Sequence, residues 1–233
     1  MDLNYFPDIQ LGDIAFNREE SKHIIRVLRR KKGDEIFLTN GKGNRFKGII
    51  TNDNPTACQA EIIESNYIPK PRNFYLHIAI APTKNMSRFE WFLEKAIEIG
   101  IDEITPVKCD HSERVTLKMD RLEKIMVSAI KQSQQLWLPK LNQLTPLHDL
   151  IASEFKGLKC IAYVDPENKT SLKSTFQHNH DTMILIGPEG DFSELELQSS
   201  IFAGYTPISL GENRLRTETA AIVACHTINL LNQ

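Results

Sequence analysis

The chain has 233 residues, of which 41% are hydrophobic and 25% are charged, and its formal net charge is −2. This composition is that of an ordinary soluble protein able to bury one large core or two modest ones, and the charge argues against a protein that coats itself with nucleic acid. The N-terminal stretch has no basic region followed by an apolar one, and no run of about 18 apolar residues occurs later. We therefore expect a cytoplasmic protein with no membrane segment.

The cysteines are widely spaced and form no Cys-x-x-Cys pair; they are Cys58, Cys109, Cys160 and Cys225. No histidine lies beside them at the spacing of metal ligands, so we expect no structural zinc and no other metal site. Each cysteine is predicted to be a small buried apolar residue in a reducing compartment rather than a reactive thiol.

The first third of the chain predicts a basic helix followed by a small β-barrel. Asn17 and Glu20 have the spacing of a capping box, and apolar residues continue at helical spacing to a stop at residues 31–34. Residues 18–32 contain seven basic side chains against two acidic ones. Strand-like runs then follow at residues 35–39, 45–51 and 57–63.

The basic residues of this region predict an RNA-binding surface. Phosphate contacts need mobile, exposed cations near one another, and a helix face next to a glycine-rich hairpin tip can supply them. The alternative is a solvated helix face. The residues that we expect to bind RNA are Arg26, Arg29, Arg30, Lys31, Lys42 and Arg45.

A proline-rich stretch at residues 68–71 predicts a stiff linker, and we place a domain boundary there, between residues 1–68 and 69–233. Beyond it, strands alternate with helices, which implies a mostly parallel sheet covered by helices on both faces. Ligands of such sheets bind beyond the carboxyl ends of the strands. The predicted strands are 74–80, 104–108, 159–165, 182–187 and 206–210, and the predicted helices end at Gly100, span 119–136, and begin near Ser193 and Thr217.

The loop Gly187-Pro188-Glu189-Gly190 follows one of these strands. Its glycines let the backbone approach a ligand closely, and Ser193 with Glu196 then predicts a capping box. No lysine follows as in a P-loop, and Glu189 and Asp191 would repel a phosphate, so an uncharged or cationic ligand fits better. The alternative is a tight turn before a helix.

A second loop, Leu210-Gly211, leads into Leu215-Arg216-Thr217-Glu218-Thr219-Ala220, which offers more polar groups than a structural helix start needs. Together the two loops resemble the SPOUT class of RNA methyltransferases, within it the family that methylates N3 of a uridine in 16S ribosomal RNA. Residues 23–29 also resemble the helix of that family's PUA-like RNA-binding domain. The resemblance implies an α/β fold with a trefoil-knotted, mostly parallel sheet, preceded by a small PUA-like β-barrel.

The resemblance further implies S-adenosylmethionine as cofactor, 16S ribosomal RNA in the small ribosomal subunit as partner, and a homodimer. The apolar run at residues 220–225 is long for a helix with one solvated face, which also favours a dimer. The residues implied to hold the cofactor are Ile186, Gly187, Pro188, Glu189, Gly190, Leu210, Gly211, Leu215, Thr217, Thr219 and Ala220.

Arg216 is the candidate catalytic residue. A uridine ring nitrogen is a poor nucleophile while it keeps its proton, and a nearby guanidinium favours the deprotonated form. The alternative is that Arg216 is only ion-paired with Glu218 or Glu212. Glu189 and Glu218 are candidate proton acceptors, or caps for backbone amides.

The sequence departs from the family pattern at Asp191, where a second glycine is usual, at residues 213–214 and at residues 132–139. The last two departures concern the predicted RNA contacts. Two other functions stay open at this point: an RNA-binding protein that acts on another RNA or without turnover, and an unrelated nucleotide-dependent α/β enzyme. ATP or NAD binding would indicate the second of these.

Overall fold

The computed structural model describes residues 2–163 and 170–233 and divides the chain into two compact units. The first unit contains Met1–Pro71 and Val127–Leu138, and the second contains Arg72–Met126 and Pro139–Gln233. Residues 127–138 therefore group with a part of the chain that lies far away in sequence.

The first unit is built on a five-stranded sheet in the order β1-β3-β4-β5-β2. Strand β1 pairs in parallel with β3, whereas the other neighbours are antiparallel. The predicted run at 35–39 is confirmed, and closure into a barrel stays a prediction. The strands are β1 (Leu3–Tyr5), β2 (Gly12–Ala15), β3 (Glu35–Thr39), β4 (Asn44–Asn52) and β5 (Gln59–Tyr67).

The basic helix is shorter than predicted. Helix α1 (Arg18–Lys22) begins at Asn17, whose side chain accepts the Glu20 N–H at 2.9 Å, and it continues as a π-helical turn, His23–Val27. Arg29 has a left-handed φ of 56°, which ends the helix. The prediction that the helix continues up to a stop at residues 31–34 was wrong, and four of the seven basic residues lie beyond its end: Arg29, Arg30, Lys31 and Lys32.

The hairpin tip before β4 is packed against residues 136–138. Gly43 donates its N–H to Leu136 at 2.9 Å, and Leu138 donates its N–H to Gly41 at 2.9 Å. A side chain on Gly43 would overlap the Trp137 ring. The backbone of the tip is therefore held in place, while the Lys42 side chain is exposed, as a phosphate contact requires.

The second unit contains a sheet whose main path has the order β12-β10-β11-β6-β7-β8, and all its strand pairs are parallel. The predicted parallel sheet is confirmed, and the trefoil knot stays a prediction. Residues 164–165 of the predicted strand 159–165 lie outside the described residues. The strands are β6 (Leu76–Ile80), β7 (Glu103–Lys108), β8 (Lys140–Leu141), β9 (Thr145–Pro146, beside β7), β10 (Leu158–Ala162), β11 (Thr182–Ile186) and β12 (Thr206–Ile208).

Helices cover this sheet in two groups. α2 and α5 pack on α7, which in turn contacts β6 and β11, whereas α4 packs on α6 and β7. Successive side chains of a strand point to opposite faces of the sheet. Leu185 of β11 points to the face covered by α4 and α6, where it packs in one apolar cluster with Leu147 and Leu197. All four cysteines are buried and free. The helices are α2 (Met86–Ile99), α3 (Met119–Ser133), α4 (Leu147–Ile151), α5 (Leu172–Thr175), α6 (Glu194–Phe202) and α7 (Thr217–Leu231).

Candidate active site

A cavity of about 830 Å³ opens where β10, β11 and β12 end, beside the start of α7. Parallel strands place their carboxyl ends at one edge of the sheet, so both predicted loops reach this cavity. Gly190 and Thr219 are not among the residues that line it. The predicted residues that do line it are Ile186, Gly187, Pro188, Glu189, Leu210, Gly211, Leu215, Arg216, Thr217 and Ala220.

Two positions of the first loop, residues 187–191, restrict the residue type. Position 187 has little room for a side chain, and position 191 has a left-handed backbone. A Cβ atom on Gly187 would lie 3.0 Å from the Phe192 ring, so a side chain there would displace that ring. Asp191 has a left-handed φ of 63°, a conformation that Gly, Asn and Asp tolerate best. Its Oδ1 accepts the Phe192 N–H at 2.9 Å. Asp191 therefore adopts a backbone conformation that a glycine at this position would also adopt readily.

His111, in the loop after β7, holds the outer side of the first loop. Its Nδ1 lies 3.1 Å from the Gly190 carbonyl oxygen and 3.0 Å from that of Asp191. Carbonyl oxygens only accept hydrogen bonds, so Nδ1 must carry the proton. A Cβ atom on Gly190 would lie 3.1 Å from the Cβ of His111. Gly190 thus permits close packing of the loop on this histidine instead of facing the cavity.

The neighbouring residue Asp110 ties the same loop to the start of α6. Its Oδ2 accepts the Ser193 hydroxyl at 2.6 Å, and its N–H donates to Glu196 at 2.9 Å. The predicted capping box is confirmed, because Ser193 accepts the Glu196 N–H while the Glu196 carboxylate accepts the Ser193 N–H. These bonds anchor the C-terminal end of the first loop to the segment after β7 and to the start of α6.

Glu189 connects the first loop to the segment between β6 and α2. Its Oε1 accepts the Lys84 N–H at 3.0 Å, and its carbonyl oxygen accepts from Arg214 Nη2 at 3.4 Å. Of the two roles considered for this carboxylate, the geometry matches the bond to a backbone amide. Its side chain also adds negative charge to the lining of the cavity.

The second loop turns at Gly211, whose φ is 143°. A Cβ atom there would meet nothing within 4 Å, and Gly211 lines the cavity, so the missing side chain leaves open space for a ligand. Ser209 stabilises the turn, since its hydroxyl donates to the Gly211 carbonyl at 3.0 Å. A substituted side chain at position 211 would have open space to enter but a strained backbone.

Helix α7 begins at Arg216, which provides no side-chain cap. Arg216 is exposed, and it forms no ion pair with any residue in the described ranges 2–163 and 170–233. Glu218 is 7% exposed and lies 3.7 Å from Arg88 Nε. The alternative pairing of Arg216 with Glu218 or Glu212 is therefore absent from the described part of the chain, and Glu218 has a different cationic partner.

The predicted RNA-binding residues lie in the first unit. Arg26, Arg29, Lys31 and Lys42 are exposed. Arg30 is half-buried and pairs with Asp2 at 3.1 Å, which reduces its availability to a phosphate.

The strongest pKa shifts of a histidine and a carboxyl group occur away from the cavity. Burial lowers the pKa of His77 to about 4, although Glu103 opposes this effect. Burial would raise the pKa of Glu103, but hydrogen bonds from Lys140, Asn142 and Tyr75 outweigh it and hold that pKa at about 2. His77 and Glu103 are paired in register near the amino ends of their strands, opposite the cavity. These shifts concern stability.

Two further features bear on function. In residues 2–163 and 170–233, no group of three or more His, Cys, Asp or Glu side chains has an arrangement suited to a metal ion. None of the helices described there has the length and apolar character required to cross a membrane.

Comparison with known proteins identifies the family. Residues 70–229 match the family described as RNA methyltransferase domain, and residues 16–63 match RNA methyltransferase PUA domain. Ribosomal RNA small subunit methyltransferase E of Mesomycoplasma hyopneumoniae is 36% identical over 218 residues, which cover 82% of this chain and 92% of that protein. The chain belongs to the family of ribosomal RNA small subunit methyltransferase E.

Other relatives agree with this assignment. The ribosomal RNA small subunit methyltransferase E of Synechocystis is 31% identical, and the match covers 94% of this chain and 73% of the Synechocystis protein. A probable rRNA-methyltransferase from Porphyromonas gingivalis has 42% identity and a TM-score of 0.92, with full coverage of both chains. A protein from Legionella pneumophila, solved with the bound cofactor SAM, has 27% identity, a TM-score of 0.90 and coverage of 98% of this chain and 97% of its own.

The residues that contact the first loop, the start of α6 or the start of α7 without lining the cavity could not be predicted from local sequence patterns. His111, Asp110 and Arg88 are separated by at least 79 residues from the loop and helix residues that they contact. They belong to no local motif, although their positions just after a strand or within the first turn of a helix are compatible with such a role. Only the three-dimensional contacts identify them.

Proposed function

We propose that this protein transfers a methyl group from S-adenosylmethionine to N3 of a uridine in 16S ribosomal RNA. The observation that carries the proposal is the single cavity lined by both glycine loops and by Arg216 in a member of the methyltransferase E family. The proposal includes the domains predicted from the sequence, with residues 1–68 binding RNA and residues 69–233 performing the chemistry, except that residues 69–71 and 127–138, which group with the first unit, belong to the RNA-binding part.

The cavity fits this cofactor in size and charge. Its volume of about 830 Å³ lies in the range typical of small-molecule sites. Glu189, Asp191 and Glu212 line it together with Arg214 and Arg216, so its lining carries one more negative charge than positive, which suits a cationic sulfonium better than a phosphate. The open space beside Gly211 gives main-chain groups access to a ligand.

The residues that would hold the cofactor are those of the two loops and the first turn of α7. When bound, S-adenosylmethionine supplies a methyl group that its sulfonium already activates. The main task of the protein is then to orient the uridine and to exclude water from it. In this proposal His111 and Glu189 fix the first loop, and Gly211 leaves the second loop open to the ligand.

Arg216 acts on the acceptor in this proposal. Its guanidinium is exposed at the cavity and has no ionic partner among the described residues, so it is available to a bound uridine. A cation beside the uridine ring favours loss of the N3 proton to water as the uridine binds, because it stabilises the negative charge that results. Arg216 would therefore help to form the nucleophile.

The proposal also includes the setting in which the enzyme works: 16S ribosomal RNA in the small ribosomal subunit, a homodimer and a cytoplasmic location. Ile222 and Val223 of α7 are partly exposed and offer apolar surface to a second copy. Sedimentation of an active monomer at micromolar concentration would exclude the dimer.

A methyl-transfer assay tests the proposed function. The protein is incubated with S-adenosylmethionine labelled in the methyl group, together with small ribosomal subunits or with naked 16S RNA that lacks the modification. We expect label in the RNA of at least one of these substrates. ATP and NAD are tested for binding in parallel. Cofactor binding without any methyl transfer would favour an RNA-binding protein, and binding of ATP or NAD alone would favour an unrelated enzyme.

A further inference from the structure

An exposed aromatic ring lies at the end of β5, in the first unit. The Tyr67 side chain is 61% exposed. Its ring centroid lies 5.9 Å from that of Trp137, with the two planes at 82°. Such an edge-to-face contact stabilises the position of a ring while leaving much of its surface uncovered. Tyr67 is therefore held in place without being buried.

Two lysines lie close to Trp137 of this pair. Lys70 Nζ lies 5.1 Å from the centroid of the Trp137 ring. Lys42 forms an isolated antiparallel bridge with Trp137, which places the two side chains on the same side of the local ladder. The Lys42 side chain is exposed and forms no ion pair with a residue of the described ranges. Both lysines thus bring positive charge close to Trp137.

The backbone around this cluster is fixed. Gly43 donates to Leu136 at 2.9 Å, Ile68 donates to Gly43 at 2.8 Å, and Trp137 Nε1 donates to the Ile68 carbonyl at 3.2 Å. Gly43 and Lys70 cover the Trp137 ring, so Tyr67 provides the open surface. A ring that is already positioned loses little conformational entropy when a ligand stacks on it.

We propose that Tyr67, supported by Trp137, is a stacking site for an unpaired nucleotide of the RNA, and that Lys42 and Lys70 contact the adjoining phosphates. Exposed aromatic rings combined with cations are the arrangement by which proteins bind single-stranded nucleic acid. This inference rests on the proposed function in one respect, namely that the ligand is RNA. It adds a base-stacking element to a surface that sequence analysis treated as phosphate-binding only.

RNA-binding measurements test this site. The ligands are a labelled single-stranded oligouridine and labelled 16S RNA, and fluorescence anisotropy measures their binding at several salt concentrations. Tyr67→Ala should weaken binding about tenfold, since stacking on an aromatic side chain contributes about 1–3 kcal/mol per base. The salt dependence should not change, because no charge is lost. Tyr67→Phe should bind like the parent protein, since stacking does not need the hydroxyl group.

Lys42→Gln should instead reduce the slope of log affinity against log salt, by about 0.7 for one single-strand phosphate contact. Phe202→Ala is the matched control, because Phe202 is 96% exposed on α6, in the other unit, and should leave RNA affinity unchanged. Calorimetric binding of S-adenosylmethionine should be unchanged in all these variants, which shows that the second unit is intact.

Other outcomes would overturn the stacking site. If the parent binds and methylates RNA while Tyr67→Ala binds it equally well, the stacking site is wrong and the proposed function stands. Equal losses in Tyr67→Ala and Tyr67→Phe would indicate a hydrogen bond of the hydroxyl group, which also contradicts stacking. If the parent protein itself binds no RNA, both proposals fail.

Discussion

The Nδ1 atom of His111 lies 3.1 Å from the carbonyl oxygen of Gly190. The neighbouring carbonyl of Asp191 lies 3.0 Å from the same nitrogen, so one N–H is shared by two consecutive acceptors of the first loop. Because Asp191 has a left-handed backbone, this contact stabilises a conformation that costs free energy for most residues. His111 thus positions the first loop without lining the cavity.

His111→Ala should weaken binding of S-adenosylmethionine by about two- to tenfold, the effect of one lost hydrogen bond on a loop that must be ordered for binding. His111→Asn keeps an N–H donor near the same place and should recover most of the affinity. Isothermal titration calorimetry measures both. If His111→Ala binds as tightly as the parent protein, the contact has no role in holding the loop.

Gly211→Val should abolish cofactor binding while the protein stays folded. The new side chain would enter the open space beside the second loop, at a φ of 143° that a β-branched residue does not adopt. Gly187→Val should act similarly by displacing the Phe192 ring. Calorimetry and circular dichroism give the two readouts.

The matched control for Gly211→Val is Gly12→Val. Gly12 has a φ of 99° with nothing within 4 Å of its Cβ position, so it carries comparable backbone strain in the first unit. Gly12→Val should leave S-adenosylmethionine binding unchanged. Full cofactor affinity in both Gly187→Val and Gly211→Val would place the cofactor elsewhere.

Replacement of Arg26, Arg29 and Arg30 together by glutamine should weaken RNA binding at every sequence and reduce its salt dependence. Arg30 should contribute least of the three, because it is paired with Asp2. Filter-binding titrations at several salt concentrations measure the effect, and cofactor affinity serves as the control. An unchanged salt slope would mean that these arginines form only a solvated surface.

His77 should make the protein less stable in mild acid. Its pKa is lowered from 6.5 to about 4 in the folded state, so the unfolded chain binds more protons between these values. The free energy of unfolding therefore includes the full contribution of His77 above pH 6.5. This contribution falls as the pH drops towards 4, by up to about 3 kcal/mol. Urea unfolding of the parent and of His77→Gln between pH 4 and 7 should show a smaller pH slope in the variant. Equal slopes would contradict the assignment.

Local sequence patterns predicted the longer strands and helices of the second unit, but not the short elements β8, β9, α4 and α5. Apolar residues at helical spacing and Gly100 defined α2, and short apolar runs defined β6, β7 and β11. The first unit was harder, because β1 and β2 have only three and four residues and too few apolar positions to form a pattern. The end of α1 was missed, since the left-handed backbone at Arg29 is set by its surroundings and not by its residue type.

In the candidate site, too, the features set by local sequence could be predicted, and the features set by distant contacts could not. The two loops were visible in the sequence because glycines and a helix start follow strands at short spacing. The roles of Gly190 and Glu189 were not, since they depend on His111 and Lys84, which are 79 and 105 residues away. The grouping of residues 127–138 with the first unit depends on equally distant contacts, such as that between Trp137 and Gly43.

Arg216→Lys separates charge from geometry at the acceptor. Lysine keeps the positive charge but loses the planar group that can contact a carbonyl oxygen and its neighbouring ring nitrogen together. The single-turnover rate should fall by about tenfold or more, the scale typical of a lost preorganised electrostatic donor. Cofactor and RNA affinities should stay within a few-fold of the parent. If saturating cofactor repairs the whole defect, Arg216 acts in cofactor binding, and Arg214 becomes the next candidate.

The most direct test of the central claim is to identify the methylated atom. Unmodified small-subunit RNA is incubated with S-adenosylmethionine and either the parent protein or Arg216→Ala, then digested to nucleosides for mass spectrometry and mapped by primer extension. The account predicts 3-methyluridine at a single position with the parent protein and strongly reduced amounts with Arg216→Ala. A methyl group on a different atom, no methylation by the parent, or normal methylation by Arg216→Ala would contradict it.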